Sequence, residues 1–508
     1  MRQLLFFVAA AMPLALVAQE HKHGGPADLG NVGHVHLATS CNAAAQKEID
    51  LADALLHSFW YGEAETSFRR AADADPQCGM AWWGVAMSNF HQIWAPPTPA
   101  ELKNGSEAAR KAEIIGAKTG RERAYIDAIG IFYADADKRT HPQRLDAYEN
   151  AMESVAAANP DDHEAAIFYA LAIRANVDDR DKTYAKQKKA GAILARILPL
   201  EPEHPGIAHY IIHCYDYPSL ASLALPAARA YAKLAPGSPH ALHMPAHIFT
   251  RLGLWDESIA SNLASAAKAH EHGLVSDELH AIDYLEYAYL QRGENAKAYE
   301  LVKRVPEMTK DETFQAAYAV AAVLARYSIE RREWKEAAAL TVPQNADWTR
   351  FPWAEANIHF AVALGAARSN EPELAKKALD RLAAIHQTLV DRNDRYWAGQ
   401  VEIQRLSAAA WLDRDLKLAQ EAAALEASTD KHPVTPGAIV PARELLAEML
   451  LEAGNAQDAL TEAQRALRDA PNRYNGLRLA AVAAEKSGRS ADAKNYRSQI
   501  AELRVSER

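Results

Sequence analysis

The chain has 508 residues, 49% of them apolar and 24% charged, with 23 glycines and 24 prolines. That composition supplies a large core and excludes a disordered or collagen-like chain. The formal charge of -10 leaves no basic surface for a phosphate backbone, which argues against nucleic acid as a partner.

In chain order, a single positive charge, Arg2, precedes an uncharged run from Leu4 to Val17 that ends in Ala18 ahead of Gln19 and Glu20. This is the pattern of a cleaved secretory signal over residues 1–18, too short to span a bilayer comfortably. No cysteine follows it directly, and no later stretch approaches the roughly 18 uncharged residues of a membrane helix. The expectation is a secreted protein, periplasmic in a bacterium, with no transmembrane segment in the mature chain. Residues 19–44, with His21, His23, His34 and His36, read as a flexible segment.

Three cysteines in an oxidising compartment permit one disulfide. Cys41 and Cys78 stand just ahead of two successive predicted helical hairpins, which brings them near each other. A bridge there closes a loop of 37 residues and stabilises by roughly 3–4 kcal/mol if chain entropy dominates. Cys214, flanked by Tyr215 and apolar residues, reads as a buried core thiol.

After residue 44 the pattern is amphipathic helix in lengths of about 12–18 residues, broken by short turns and without strand alternation. The fold class is therefore all-α. Pro76, Pro160, Pro202, Pro236 and Pro471 each close one helix and precede another, and Pro202 and Pro236 are 34 residues apart. In the unit ending at Pro471, Gly454 occupies the inter-helix turn, Ala459 and Ala466 small-residue packing positions, and Leu446 and Leu450 the first helix. Ala64, Phe68 and Ala71 repeat that register ahead of Pro76.

This frame resembles the tetratricopeptide repeat over most of residues 45–505. The resemblance implies a right-handed superhelical solenoid of about 10–11 hairpins, read as an amino-terminal array over 45–345 and a carboxy-terminal array over 346–508. It also implies a concave groove lined by the first helix of each pair, where such proteins hold a peptide or protein partner.

Nine of the 20 histidines fall between residues 204 and 280. His209 and His213 are four residues apart with Asp216 nearly one turn on; His243 and His247 are four apart with His240 one turn before. Each set lies along one helical face. Counted from Pro202 and Pro236, the two pairs occupy equivalent positions in adjacent repeats. Counted back from the turn glycines Gly253 and Gly293, His240, His243 and His247 correspond to His280, Asp283 and Tyr287.

Imidazoles and carboxylates converging from neighbouring helices are what a divalent transition metal needs. His209, His213, His243, His247, His280 and Asp283 are the candidate ligands, with zinc, copper or nickel as the metal. His240, Asp216, Tyr284 and Tyr287 are expected to line the same groove. Pro245, between His243 and His247, predicts a late helix start near Leu242 or a kink. Two other accounts of the histidines stand beside metal binding: a groove for peptide alone, and a hydrogen-bonded structural network with Asp216, Tyr215 or Tyr284.

No phosphate-binding glycine loop, Gly-x-Ser-x-Gly turn or His-Glu-x-x-His motif occurs, and no catalytic set stands out. The leading functional expectation is a binding or scaffold protein with a metal site in its groove. The alternative is a metal-dependent hydrolase or oxidoreductase using the same histidines, with His240, Asp216 or Tyr284 moving protons.

Overall fold

Helix boundaries follow the local chemistry. Thr98, Thr119 and Thr140 each accept a hydrogen bond from the backbone three residues on, while Glu101, Glu122 and Gln143 reach back to the cap. These reciprocal caps satisfy donors that would otherwise be orphaned at a helix start. Prolines open Pro205–Tyr215, Pro239–His243, Pro352–Arg368 and Pro372–Asp391, where their missing N–H costs nothing. Gly253 ends its helix at φ 66°, and a Cβ there would lie 2.3 Å from the carbonyl oxygen of Pro471. Only glycine serves both the left-handed turn and that close approach.

The computed structural model describes residues 29–504 apart from 94–95, 179, 309–312 and 345. The signal-like segment, with His21 and His23, lies outside them. Every regular element among the described residues is a helix, with no strand, and the helices pair into twelve hairpins when Pro239–His243 and Pro245–Leu252 are taken as one broken helix. Ten or eleven were expected. Short second helices such as Trp334–Ala338 escape the 34-residue frame because they carry too few turns to show a period.

Each helix packs on the next, and first helices also stack on first helices: Val275–Arg292 on Phe314–Glu330, that on Pro352–Arg368, and that on Arg395–Asp413. The coil is tight enough for distant repeats to touch. Ala43–His57 meets Pro205–Tyr215, and Val275–Arg292 meets Tyr474–Lys486. Trp255 Nε1 donates to the Asn472 carbonyl at 2.8 Å across 217 residues of sequence. Stacking buries the apolar stripe of every hairpin, which no hairpin can do alone.

Two segments close the concave side. From Leu29 onward the amino-terminal segment, expected to be flexible, is packed down: Val32 and Leu37 are buried, and Gly237 N–H donates to the Asn31 carbonyl at 2.8 Å. Between Leu416–Ser428 and Ala442–Glu452, residues 429–441 run without helix across the first helices. Lys431 binds Asp216 at 2.8 Å, the Thr435 carbonyl accepts from Tyr284 Oη at 2.8 Å, and Lys182 binds Asp430 at 2.9 Å.

The expected disulfide is present, with Cys41 and Cys78 at a Cα separation of 5.2 Å. Cys214 is the free thiol, and burial pushes its pKa up to about 12. No helix among the described residues is long and apolar enough to cross a membrane.

Candidate metal centre

The helix Pro205–Tyr215 presents His209 and His213 on one face, and the next first helix begins one repeat later at Pro239. Ser238 caps that helix by accepting from Ala241 N–H. Pro245 then interrupts the ladder at Met244, whose torsions stay helical at φ -53° and ψ -35°. The expected break is therefore a local one. His243 and His247 remain on a common face while His240, a turn earlier, is aimed at the preceding repeat.

The result is two triads. His209, His213 and His240 form one, and His243, His247 and His280 the other; within each, the ligand-type nitrogens all lie within 4.8 Å of one another. In the first, His209 Nε2 lies 3.0 Å from His213 Nε2 and 3.1 Å from His240 Nε2. In the second, His243 Nε2 lies 3.0 Å from His247 Nε2, and the rings of His243 and His280 are 4.2 Å apart. Three nitrogens about 2.0–2.1 Å from a tetrahedral zinc stand roughly 3.3 Å from each other, close to these edges. The triads adjoin, with the His213 and His247 ring centroids 6.2 Å apart.

The repeat frame explains the composition of each triad. An i, i+4 pair from one hairpin is completed by a histidine on the first helix of the next. Residues 213 to 240 and 247 to 280 are the crossing points. His240, expected only to line the groove, is thus a triad member. Asp283 is not: Arg326 Nη1 holds it at 2.7 Å and also holds Glu286 at 2.8 Å. One helical turn beyond His280, Asp283 faces the following helix Phe314–Glu330, whose buried arginine claims it.

Partners on the other ring nitrogen orient the triad histidines. His209 Nδ1 lies 2.7 Å from the His57 carbonyl, His243 Nδ1 2.7 Å from Asn262 Oδ1, and His247 Nδ1 3.0 Å from Asp216 Oδ2. Each of these oxygens accepts, so each Nδ1 carries the proton and each Nε2 lone pair points into the triad. Asn262 is oriented for this by donating through Nδ2 to the Ser258 carbonyl at 2.8 Å. Asp216 also receives Arg251 Nε at 2.8 Å and Lys431 Nζ at 2.8 Å. Burial opposes its charge, but Lys431 and Arg251 hold it well below the usual carboxylate range.

All six triad histidines are buried. Burial pulls the His209 pKa down to about 3 and holds His213, His240, His243 and His280 well below 6.5, with neighbouring imidazoles adding to the effect. For His247 burial outweighs the carboxylate of Asp216. The imidazoles are therefore neutral at pH 7, the form that binds metal.

The expected open groove is closed at this point. Phe59, at φ 55°, stacks against the first triad with centroids 4.4 Å from His209 and 5.7 Å from His240. Tyr284, a groove-lining candidate, packs 4.7 Å from His243 and 5.0 Å from His247 beneath residues 429–441. Tyr287 sits one turn further, accepting from Arg473 Nη1 at 2.6 Å, and lines a cleft of about 750 Å³ with Arg251, Lys431 and Arg443. Sequence reasoning did not assign Asn262, Lys431, Arg251 or the His57 carbonyl.

No family model matches the chain, and no curated protein matches its sequence. Solved structures do match. The complex described as Naa15/Naa10 bound to HypK-THB is 13% identical over 90% of this chain, with a TM-score of 0.24, and the chain spans 63% of the matched one. The human IFIT1 dimer with m7Gppp-AAAA is 11% identical over 92% of this chain and 96% of its own, with a TM-score of 0.34. The P58(IPK) TPR domain is 13% identical over 88% and 99%, with a TM-score of 0.20. At these TM-scores the likenesses carry no argument, and the assignment rests on the twelve stacked helical hairpins themselves. The fold is tetratricopeptide-like.

Proposed function

We propose that this chain is an exported metal-binding protein of tetratricopeptide type, whose adjoining histidine triads hold a pair of transition-metal ions. One observation carries the reading. His243 and His247 both spend their Nδ1 proton on an oxygen that can only accept, yet their bare Nε2 atoms face each other at 3.0 Å. Two lone pairs at that distance repel unless a cation lies between them, and burial makes a proton an unfavourable one. All-nitrogen triads suit copper, zinc or nickel, in keeping with the borderline softness of imidazole.

A second reading follows from the ligand count. Three protein ligands per ion leave a coordination position open, as in catalytic rather than structural sites. Two such ions side by side suit hydrolysis or redox chemistry on a small ligand, with the 429–441 segment controlling entry. A peptide partner reaches the histidines only if that segment moves, whereas the cleft of about 750 Å³ beside Lys431 is open and of a size for a small ligand or a peptide side chain.

Elemental analysis of untagged protein tests the proposal. Two equivalents of copper or zinc per chain are expected, falling to one in His209→Ala/His213→Ala and to one in His243→Ala/His247→Ala. Sub-stoichiometric metal after growth in metal-replete medium, with both variants unchanged in content, overturns it.

A further inference from the structure

A third cluster of ligand-type side chains lies one step along the superhelix from the first triad. It is built from Asp53 and His57 on Ala43–His57, Glu164 on His163–Ala175, and His204 at the cap of Pro205–Tyr215. His57 Nε2 is 3.0 Å from Glu164 Oε2 and 3.6 Å from Asp53 Oδ1, and His204 Nε2 is 2.8 Å from Glu164 Oε1. Every member is buried, Asp53 and His57 completely. The residues come from three hairpins far apart in sequence, so no spacing announces them.

As protein alone the cluster leaves Asp53 poorly matched. Glu164 takes the N–H of both histidines, while neither oxygen of the fully buried Asp53 receives a hydrogen bond. A buried carboxylate without a donor is costly. The His57 ring reaches Asp53 only at 3.6 Å, beyond hydrogen-bond length. Two carboxylates and two neutral imidazoles, by contrast, balance the charge of one divalent cation and give it four ligands.

Two further features belong to a built site. His57 Nδ1 lies 2.8 Å from Tyr210 Oη, so when Nε2 holds a metal the Nδ1 proton has an acceptor, and the ring orientation is set. Gly206 makes room: a Cβ there would lie 2.5 Å from His57 Nδ1 and 3.0 Å from His204 Cε1. One repeat on, the residue 34 positions later is His240, so the frame that supplies a ligand to the first triad supplies space to this cluster.

We infer that Asp53, His57, Glu164 and His204 form a third metal site, distinct in chemistry from the two triads. Its mixed oxygen and nitrogen donors suit manganese or ferrous iron, whereas the triads, with no carboxylate ligand, favour copper, zinc or nickel. His57 links them, its ring serving the third site and its carbonyl fixing His209 at 2.7 Å. The inference does not depend on the triads holding metal.

The test uses the full chain stripped with chelator and titrated with Mn(II), the free ion being followed by its solution electron paramagnetic resonance signal. Wild type is expected to take up one tight equivalent. Asp53→Asn and Glu164→Gln, which keep side-chain shape, should weaken it at least tenfold, and Gly206→Ala should do the same by displacing the His57 ring. His209→Ala/His213→Ala should still bind Mn(II), so failure of the triad reading leaves this result untouched. Uptake by wild type that is absent, or equal in Asp53→Asn and Glu164→Gln, overturns the site and leaves the cluster a structural ion network. Circular dichroism of each variant separates loss of fold from loss of metal; if both carboxylate variants unfold, Gly206→Ala decides.

Discussion

His247 Nδ1 lies 3.0 Å from Asp216 Oδ2, and the same carboxylate is held by Arg251 and Lys431 at 2.8 Å each. That relationship joins three distant parts of the chain to one ligand ring. A carboxylate behind a metal-binding histidine raises its basicity and fixes its tautomer. Asp216→Asn is expected to weaken metal binding at the second triad by about 10–100-fold, while leaving the first triad's equivalent in place. Competition with a chromophoric chelator measures both constants, and equal loss at both triads would contradict the assignment.

Acid should weaken the metal-free fold through the triads. A histidine whose folded pKa lies below its unfolded value of 6.5 binds fewer protons when folded, so its contribution to stability is whole above pH 6.5 and lost as pH falls toward 3. The slope is up to about 1.4 kcal/mol per pH unit for each such group. His57 runs the other way: burial opposes its charge, but Asp53 and Glu164 raise it to about 10, so its contribution is lost only as pH rises above 6.5. Asp53, raised to about 6 chiefly by burial, gains as pH falls, and partly offsets the triads. Comparing wild type with His209→Ala/His213→Ala cancels these other groups. Thermal melts in chelator should show a shallower acid slope for the variant between pH 6.5 and 5; parallel slopes would show that the imidazoles are not held neutral.

Asp283 provides a contrast within the same helix as His280. Because Arg326 engages it at 2.7 Å, Asp283→Asn should leave metal content at the wild-type value. Arg326→Ala would leave Asp283 and Glu286, whose pKa values burial already raises, without their buried partner and should destabilise by about 3–5 kcal/mol. Metal analysis of the first variant and denaturant unfolding of the second check the two halves. Loss of an equivalent in Asp283→Asn would return that residue to the ligand set.

The Cys41–Cys78 bridge closes a loop of 37 residues. Cys78→Ser should lower the stability of the first hairpins by roughly 3–4 kcal/mol, with little effect on the carboxy-terminal repeats, because a solenoid transmits stability mainly between neighbours. Hydrogen exchange resolved by segment detects this. Uniform loss of protection along the chain would mean that the superhelix unfolds as one unit.

Sequence periodicity by itself determined the helical class, the hairpin frame and the equivalence of His209 and His213 with His243 and His247. These depend on contacts within a repeat, and such contacts recur at fixed offsets. The disulfide was legible for the same reason, since both cysteines precede neighbouring hairpins. From Leu29 onward the amino-terminal segment packs down through a few anchoring residues that its polarity hides, Val32 and Leu37, whose burial depends on a surface formed by helices far down the chain.

Tertiary structure decided the rest. Which histidine completes each triad depends on how much one hairpin rotates against the next, and that angle follows from packing rather than spacing. So His240 became a triad member and Asp283 an ion-pair partner. The closure of the groove by residues 429–441 and the meeting of Asp53, His57, Glu164 and His204 arise from the coiling of the whole superhelix. Sequence positions 107 residues apart, as His57 and Glu164 are, come together only when every intervening repeat has taken its place.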